Sequence, residues 1–440
     1  MRYLLDILYV SLMVVTLPWM LLARWRHGKY RDGWSEKLWG NVSPTTKGGA
    51  IWFHAVSVGE VNVLEPLVHA LRHLWPDRPF VITATSQTGY ELARKKFPGD
   101  LVSYAPLDFS WAIARAIKRW RPEMLVLIEL ELWPNLILAA KRNGLKLAIV
   151  NGRLSDRSFR RYGWARGLFR LLLQQFDLLA IQNETYADRF LALGARAESV
   201  VITGSTKFDQ AQFDRNNPAT KRLRELVGLS EDHVVFLAGS TQAPEERYAV
   251  ETFEALRGEF PQLRLLVVPR HRERFEEVAK LLESSSLNVM RRTRLDETDG
   301  CLASSSSKFE VLLIDTIGEL SSWWGVADVG FVGGSFGSRG GQNMLEPAAF
   351  GVAVCFGPHT ENFRDISEAL VACQAAQVVH TTEELRNFVR RCLQSPEDRT
   401  SLGQQARVYV KKHSGAIQRT CDTLVAILNG DGSNQSTCSL

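Results

Sequence analysis

Twice in its 440 residues the sequence lays down a series of short apolar runs, each closed by small or turn-forming residues and followed by a stretch with helical period. The first series is AIWFHAVS (50–57), PFVITATS (79–86), LVSYAPL (101–107), MLVLIEL (124–130), KLAIVNG (146–152) and DLLAIQN (177–183). Between these runs, 61–74 has apolar residues three and four apart, and helices are expected from Thr88, around Trp111 to Trp120, and from Pro134. The second series is VVFLAGS (234–240), LRLLVVPR (263–270), VLLID (311–315), VGFVGGS (329–335) and VAVCFG (352–357). Runs this short that lack an apolar–polar alternation read as strands covered on both faces, and helical crossovers between them make the strands parallel. The pattern predicts an α/β chain of two Rossmann-like domains, 26–212 and 213–428, joined through the polar segment 208–232. Residues 429–440 read as a disordered tail. The segment 301–310 reads as a loop insertion.

Residues 3–23 hold one charge, Asp6, in 21 positions. A bilayer core takes about 20 apolar residues in a helix, so 1–25 is expected to be a single N-terminal transmembrane helix. Arg24, Arg26, His27, Lys29 and Arg31 follow, and the positive-inside rule keeps such a flank cytoplasmic. Asp6 and Pro18 favour a second reading, a buried or interfacial helix. The net charge of +5 is too small to indicate a nucleic-acid partner, and none is expected. The six Cys are scattered, with no C-x-x-C and no Cys/His cluster, which fits neither a disulfide framework nor a zinc site; no bound metal is expected.

Chemistry concentrates at strand ends, where open α/β sheets bind their ligands. HAVSVGE (54–60) places Glu60 where a strand turns into a helix. That carboxylate suits a general base, and it equally suits a helix cap. IELELWPN (128–135) sets Glu129 and Glu131 at the end of an apolar strand, as reacting groups or as satisfied structural acids. TGSTKFD (203–209) offers Lys207 as a cation. In the second half, VPRHRERF (268–275) puts Arg270 after a strand, DTIGEL (315–320) forms a Gly turn, and GGSFGSRGGQNMLEP (333–347) is glycine-rich and leads into a helix bearing Glu346. Gly-rich loops at helix starts bind phosphate through backbone N–H groups. There is no G-x-G-x-x-G in the first βαβ unit and no Walker A sequence. RLSDRSFRRYGWARGLFR (153–170) carries six Arg interleaved with aromatic residues, which suits an anionic membrane surface or a phosphorylated lipid.

Together, HAVSVGE, E-x-E-x-W-P-N (129–135), TGSTKFD, PRHRERF, DTIGEL and GGQNMLEPAAFG with FGPHTENFRDI resemble the 3-deoxy-D-manno-octulosonic acid (Kdo) transferases of lipopolysaccharide synthesis, from the N-terminal helix to about residue 420. The resemblance implies a GT-B glycosyltransferase whose two domains face a central cleft, single-pass in the bacterial inner membrane with its catalytic domains on the cytoplasmic side. Such an enzyme moves Kdo from CMP-Kdo to lipid IVA with inversion, and CMP-Kdo is its donor substrate rather than a cofactor. By the family's motifs, Glu60 is the base, and Glu129 and Lys207 stabilise the transition state. Pro269, Arg270, Ile317, Gly318, Glu319, Asn343, Met344, Leu345 and Glu346 form the CMP site. The sequence departs from the family at Gln242-Ala243-Pro244, where His and Glu are frequent, although Glu245 and Glu246 follow. It departs again at Gln342, where His is usual. Two other readings share parts of the pattern: a nucleotide-sugar epimerase of the same architecture, and a tethered nucleotide- or lipid-binding protein without catalysis.

Overall fold

The computed structural model describes residues 2–27, 32–295 and 309–430. Of the expected insertion 301–310, residues 301–308 lie outside the described residues and Phe309 is buried; of the expected tail 429–440, residues 431–440 lie outside them and Asn429 ends a helix. The chain forms two compact units, Met1–Asp209 with Ser414–Leu440, and Gln210–His413.

The first unit runs α1 (Arg2–His27), α2 (Trp34–Trp39), β1 (Ala50–Ala55), α3 (Val58–Leu74), β2 (Phe80–Ala84), α4 (Gln87–Lys96), β3 (Leu101–Tyr104), α5 (Ser110–Trp120), β4 (Pro122–Ile128), α6 (Pro134–Arg142), β5 (Lys146–Gly152), α7 (Asp156–Gly163), α8 (Arg166–Leu173), β6 (Leu178–Ile181), α9 (Glu184–Ala192) and β7 (Val200–Ile202). Its seven strands are parallel in the order β3-β2-β1-β4-β5-β6-β7. Every residue of β1 is buried. Alternate side chains explain why: Trp52 packs with Trp120 and Ile137 on one face, and Ile51 and Phe53 pack with Leu64 and Val68 of α3 on the other. Each large side chain buried this way stabilises the unit by about 1.5–3 kcal/mol. The strand order reverses direction between β1 and β4, the switch point at which such sheets open a ligand crevice.

The N-terminal helix corrects the transmembrane expectation. Among the described residues no helix is long and apolar enough to cross a membrane. Asp6, Ser11, Thr16 and Pro18 dilute the run, and Asp6 is spent on the protein itself. Its carboxylate accepts from the Ser110 N–H (2.8 Å), the Ser110 hydroxyl (2.5 Å) and Asn135 Nδ2 (3.1 Å). Tyr9 donates to Asp108 Oδ2 at 3.0 Å. A carboxylate left in hydrocarbon would lose all of these partners. The opposite side of α1 keeps Leu4, Leu8, Leu12, Val15 and Trp19 exposed.

The second unit runs α10 (Pro218–Leu226), β8 (Val234–Thr241), α11 (Glu245–Leu256), β9 (Leu263–Pro269), α12 (Phe275–Glu283), β10 (Val289–Arg291), β11 (Val311–Leu313), α13 (Leu320–Trp324), β12 (Val329–Val332), α14 (Leu345–Ala349), β13 (Ala353–Phe356), α15 (Arg364–Ala372), β14 (Ala376–Val378), α16 (Thr382–Gln394) and α17 (Pro396–His413). Its sheet is also parallel, in the order β10-β11-β9-β8-β12-β13-β14, with the switch point between β8 and β12. The polar stretch read as a linker contains α10, started by Asn217 Oδ1 accepting from the Thr220 N–H (3.0 Å). That helix is fastened to its own unit through Thr220 Oγ1, which donates to Ser322 O at 3.3 Å. The last helix, α18 (Ala416–Asn429), returns to the first unit. Cys421 and Leu424 join the core beside α3. Asp209 caps α18 by accepting from the N–H groups of Gly415, Ala416 (3.3 Å) and Ile417 (2.6 Å). The sequence reading carried the second domain to residue 428, whereas the structure places residues from Ser414 onward with the first unit.

Candidate active site

Two groups of functional side chains sit at the carboxyl ends of the strands, one in each unit. In the first unit Glu60 stands in the first turn of α3, directly after β1. Its Oε2 accepts from the Val56 N–H at 2.7 Å and its Oε1 from the Ser57 hydroxyl at 3.2 Å. Both bonds hold the turn that enters the helix, and neither caps an N–H of the helix itself. Burial nevertheless pushes its pKa up to about 7, and the charges of Glu131 and Glu129 push the same way against those two hydrogen bonds. The acids reach Glu60 because β4 neighbours β1 at the switch point. Glu129 adopts a left-handed backbone, φ 59°, and its carboxylate pairs with Arg153 Nε at 3.1 Å. Such a conformation costs about 1–3 kcal/mol in a non-glycine residue and collects at functional sites. Glu131 accepts from Trp133 Nε1 at 3.1 Å, and burial raises its pKa as well. Lys207 lies in the turn after β7. The neighbouring Thr206 donates through its N–H and hydroxyl to Asn151 Oδ1 (both 3.4 Å), which ties this turn to the end of β5, next to β4.

In the second unit Arg270 follows β9, its N–H donating to Thr241 O at 3.0 Å. Its charge acts on the half-buried Glu346, whose pKa burial raises and whose Oε1 accepts from Asn343 Nδ2 at 2.9 Å. Arg270, Asn343 and Glu346 thus form one group. Ile317 is exposed and Gly318 has φ 91°, so the 316–319 turn offers backbone and apolar surface. Three candidates are held otherwise than the sequence implies. The Glu319 carboxylate is taken by Arg292 (3.0 and 2.8 Å), the Thr316 hydroxyl (2.7 Å) and Trp323 Nε1 (3.3 Å). Met344 and Leu345 are buried whole, at 0% and 1% exposed, and the Leu345 N–H donates to Asn343 Oδ1 at 3.1 Å.

Sequence reasoning missed the role of Glu245. This carboxylate, 1% exposed at the start of α11, accepts from the N–H groups of Gln242 (2.9 Å), Gly334 (2.7 Å), Ser335 (2.9 Å) and Phe336 (3.0 Å). The Gly-rich loop after β12, expected to hold phosphate with these donors, instead holds an anion of the protein. Gly333 is required there, because a Cβ would come within 2.7 Å of Ser240 O and 2.8 Å of the Glu245 carboxylate. The only signal in the sequence was an acid in a first helical turn directly after a strand. The adjacent Glu246 is equally buried and takes a two-pronged bond from Arg274, 2.6 and 3.2 Å.

The fold is that of a putative UDP-N-acetylglucosamine 2-epimerase from Listeria monocytogenes (TM-score 0.57, 14% identity, 87% of this chain and 98% of that one) and of a glycosyltransferase from Rickettsia africae (TM-score 0.55, 13% identity, 88% and 100%). Two parallel sheets in this arrangement, with functional groups at the switch points, define a GT-B-like glycosyltransferase fold. Residues 30–210 match the family model described as 3-deoxy-D-manno-octulosonic-acid transferase. The chain is 35% identical over 427 residues to the 3-deoxy-D-manno-octulosonic acid transferase of Haemophilus influenzae, covering 94% of this chain and 97% of that protein. It is 33% identical to that of Bordetella pertussis, with 92% and 96% covered. The chain belongs to the 3-deoxy-D-manno-octulosonic acid transferase family and is a glycosyltransferase.

Proposed function

We propose that the protein transfers Kdo from CMP-Kdo to the lipid A precursor lipid IVA in lipopolysaccharide assembly, inverting the anomeric carbon, with Glu60 as general base. The observation that carries this reading is the placement of the Glu60 carboxylate at the switch point of the first sheet, held by Val56 and Ser57 and flanked by two further acids, where burial pushes its pKa up to about 7. A base tuned near the working pH combines availability with driving force. Glu60 takes the proton of the acceptor hydroxyl as the oxygen bonds to the anomeric carbon. The bond from that carbon to the phosphate oxygen breaks on the opposite face, and CMP leaves with the electron pair. Lys207 offsets the charge developing on the phosphate, and Glu129 supports the cationic character of the sugar. Arg270, Asn343, Glu346 and the backbone of 316–319 hold the cytidylate. Incubation with CMP-Kdo and lipid IVA, read by mass spectrometry, is expected to add one or more Kdo masses to the lipid. CMP binding without any transfer would favour the non-catalytic reading, and turnover of a nucleotide sugar without acceptor would favour the epimerase.

The site of action we propose is the cytoplasmic face of the bacterial inner membrane. The exposed apolar side of α1 lies in the interface without spanning it, and the Arg-rich α7 and α8 with Trp164, 94% exposed, face the same lipid. Leu8→Asp with Val15→Asp is expected to lower co-sedimentation with anionic phospholipid vesicles by at least about tenfold. Unchanged co-sedimentation would remove α1 from the attachment.

A further inference from the structure

The side of α1 turned to the protein carries polar groups, and their hydrogen bonds lead toward the acids of the first switch point. Asp6 and Asp108 are both buried. The Asp6 carboxylate accepts from the N–H and the hydroxyl of Ser110, the first residue of α5, at 2.8 and 2.5 Å. It caps α5 from outside, where the residue before the helix, Phe109, makes no side-chain cap. Asp108 does the same for α6, accepting from the N–H groups of Asn135 (3.0 Å) and Leu136 (2.8 Å). Asn135 joins the two caps, its Nδ2 donating to Asp6 Oδ1 at 3.1 Å and to Asp108 O at 2.7 Å. Tyr9 closes the group. Its hydroxyl donates to Asp108 Oδ2 at 3.0 Å, and its ring stands edge-on to Phe109, ring centres 6.2 Å apart.

Asn135 is also the last residue of the E-x-E-x-W-P-N segment. Residues 129–133 form neither helix nor strand, so their place is set by the two ends that hold them. At one end the Glu129 N–H donates to Val150 O of β5 at 2.9 Å. At the other, Trp133 O accepts from the Ile137 N–H of α6 at 2.9 Å, and Trp133 Nε1 donates to Glu131 Oε2 at 3.1 Å. Where Glu131 stands therefore depends on how the start of α6 is seated. The groups that seat it are Asp108, Asp6 and, through Asp108, Tyr9.

We propose that Asp6 and Tyr9 are positioning residues for the reaction: the docked α1 holds the start of α6, and through it Glu129 and Glu131, against Glu60. The inference rests on the transferase reading for the roles of these acids, and it gives α1 a task beside attachment to lipid. Asp6 and Tyr9 take no part in the bond changes. The charges that act on Glu60 are those of Glu131 and of Glu129, the latter paired with Arg153, and neither Asp6 nor Asp108 is among them. Loss of the α1 contacts thus reaches Glu60 through the position of the segment. A loosened segment takes the Glu131 charge away and admits water, and both changes lower the pKa of Glu60.

Three variants of the full chain test it. Asp6→Ala removes the acceptor for Ser110 and Asn135, and Tyr9→Phe removes the hydroxyl while keeping the ring. Asp6→Asn is the conservative variant, since its carbonyl oxygen takes both bonds now made to Oδ1 and its NH₂ donates to Ser110 Oγ. At pH 8 Asp6→Ala is expected to lower kcat about tenfold with KM for CMP-Kdo unchanged, because a misplacement of about 1 Å costs up to about 10²-fold. Tyr9→Phe is expected to lower it less, and Asp6→Asn to restore it. The deciding measurement is the titration of the Glu60 carboxyl 13C signal, assigned by its absence in Glu60→Gln. Its midpoint is expected to fall below the wild-type value in Asp6→Ala and Tyr9→Phe and to return in Asp6→Asn. A purely structural role for α1 lowers the melting temperature and leaves that midpoint in place, so a wild-type midpoint in Asp6→Ala overturns the positioning whatever happens to stability or rate. If Asp6→Ala does not fold, the midpoint in Tyr9→Phe decides in the same way. The titration needs no turnover. If the wild type transfers no Kdo, the transferase reading fails by itself, and the midpoint still decides whether α1 seats the acids.

Discussion

Glu60→Gln lowers kcat for Kdo transfer by about 10³-fold, within the 10²–10⁴ that a positioned general base contributes. The substitution keeps the turn. The amide oxygen still accepts from the Val56 N–H, and the amide nitrogen can donate to Ser57 Oγ in place of the present contact. The lost activity is then chemical rather than structural. In the wild type the rate rises with pH and levels off above about 7, the value at which the folded protein holds this proton. The variant has no such step. Glu131→Gln removes the larger of the two charges that raise Glu60, so its rate profile moves to lower pH, and further than in Glu129→Gln. Stability runs the other way. The folded pKa lies above the ordinary 4.5, so the folded state binds the extra proton between those values. The stability this provides is complete below about pH 4.5 and is lost as pH climbs through 7. Glu60→Gln, which never ionises, is therefore expected to melt higher than the wild type at pH 8, the signature of a group kept for activity at a cost in stability. Activity within threefold of wild type across this range would place the base elsewhere.

What the sequence made legible follows from where the constraint is local. Central strands such as β1, β4 and β8 are apolar on both faces, so their composition alone identifies them. The three-residue edge strands β7, β10 and β14 are too short to carry any pattern and went unread. The N-terminal helix was legible as apolar but not in its disposition. A spanning helix and a docked one share nearly the same composition. The difference lies in Asp6 meeting Ser110 and Asn135, residues 104 and 129 positions away. The acids show the same division. Glu60, Glu129 and Glu319 all read as polar groups at strand ends. Their partners separate them, since Arg292, Thr316 and Trp323 converge on Glu319 only through folding, while Glu60 keeps a carboxylate that burial and like charges have made basic.

Glu245→Gln carries the second large effect, because Glu245 is where the two halves of the second sheet's switch point are joined. It stands after β8, and three of its four N–H donors come from the loop after β12. That loop then propagates its shape. Ser335 Oγ accepts from the Gly357 N–H at 2.8 Å, and the Gly341 N–H donates to Gly334 O at 2.8 Å. Gly341 lies two residues before Asn343, whose side chain holds Glu346 beside Arg270. A carboxylate satisfies the donors with two oxygens, each accepting twice. Glutamine keeps one oxygen and turns an NH₂ toward the other pair, leaving two buried N–H groups unmet at about 1–3 kcal/mol each. The variant is thus expected to lose about 3 kcal/mol in urea unfolding and at least tenfold in CMP affinity by calorimetry. Glu245→Ala leaves all four donors unmet and is expected to fall further on both measures. Measurements at pH 8 on the folded fraction separate the two effects, since a purely structural brace would cost stability while CMP affinity stayed at the wild-type value. That outcome would mean that the loop reaches its binding shape without Glu245, and that the cytidylate site is set by Arg270 and α14 alone.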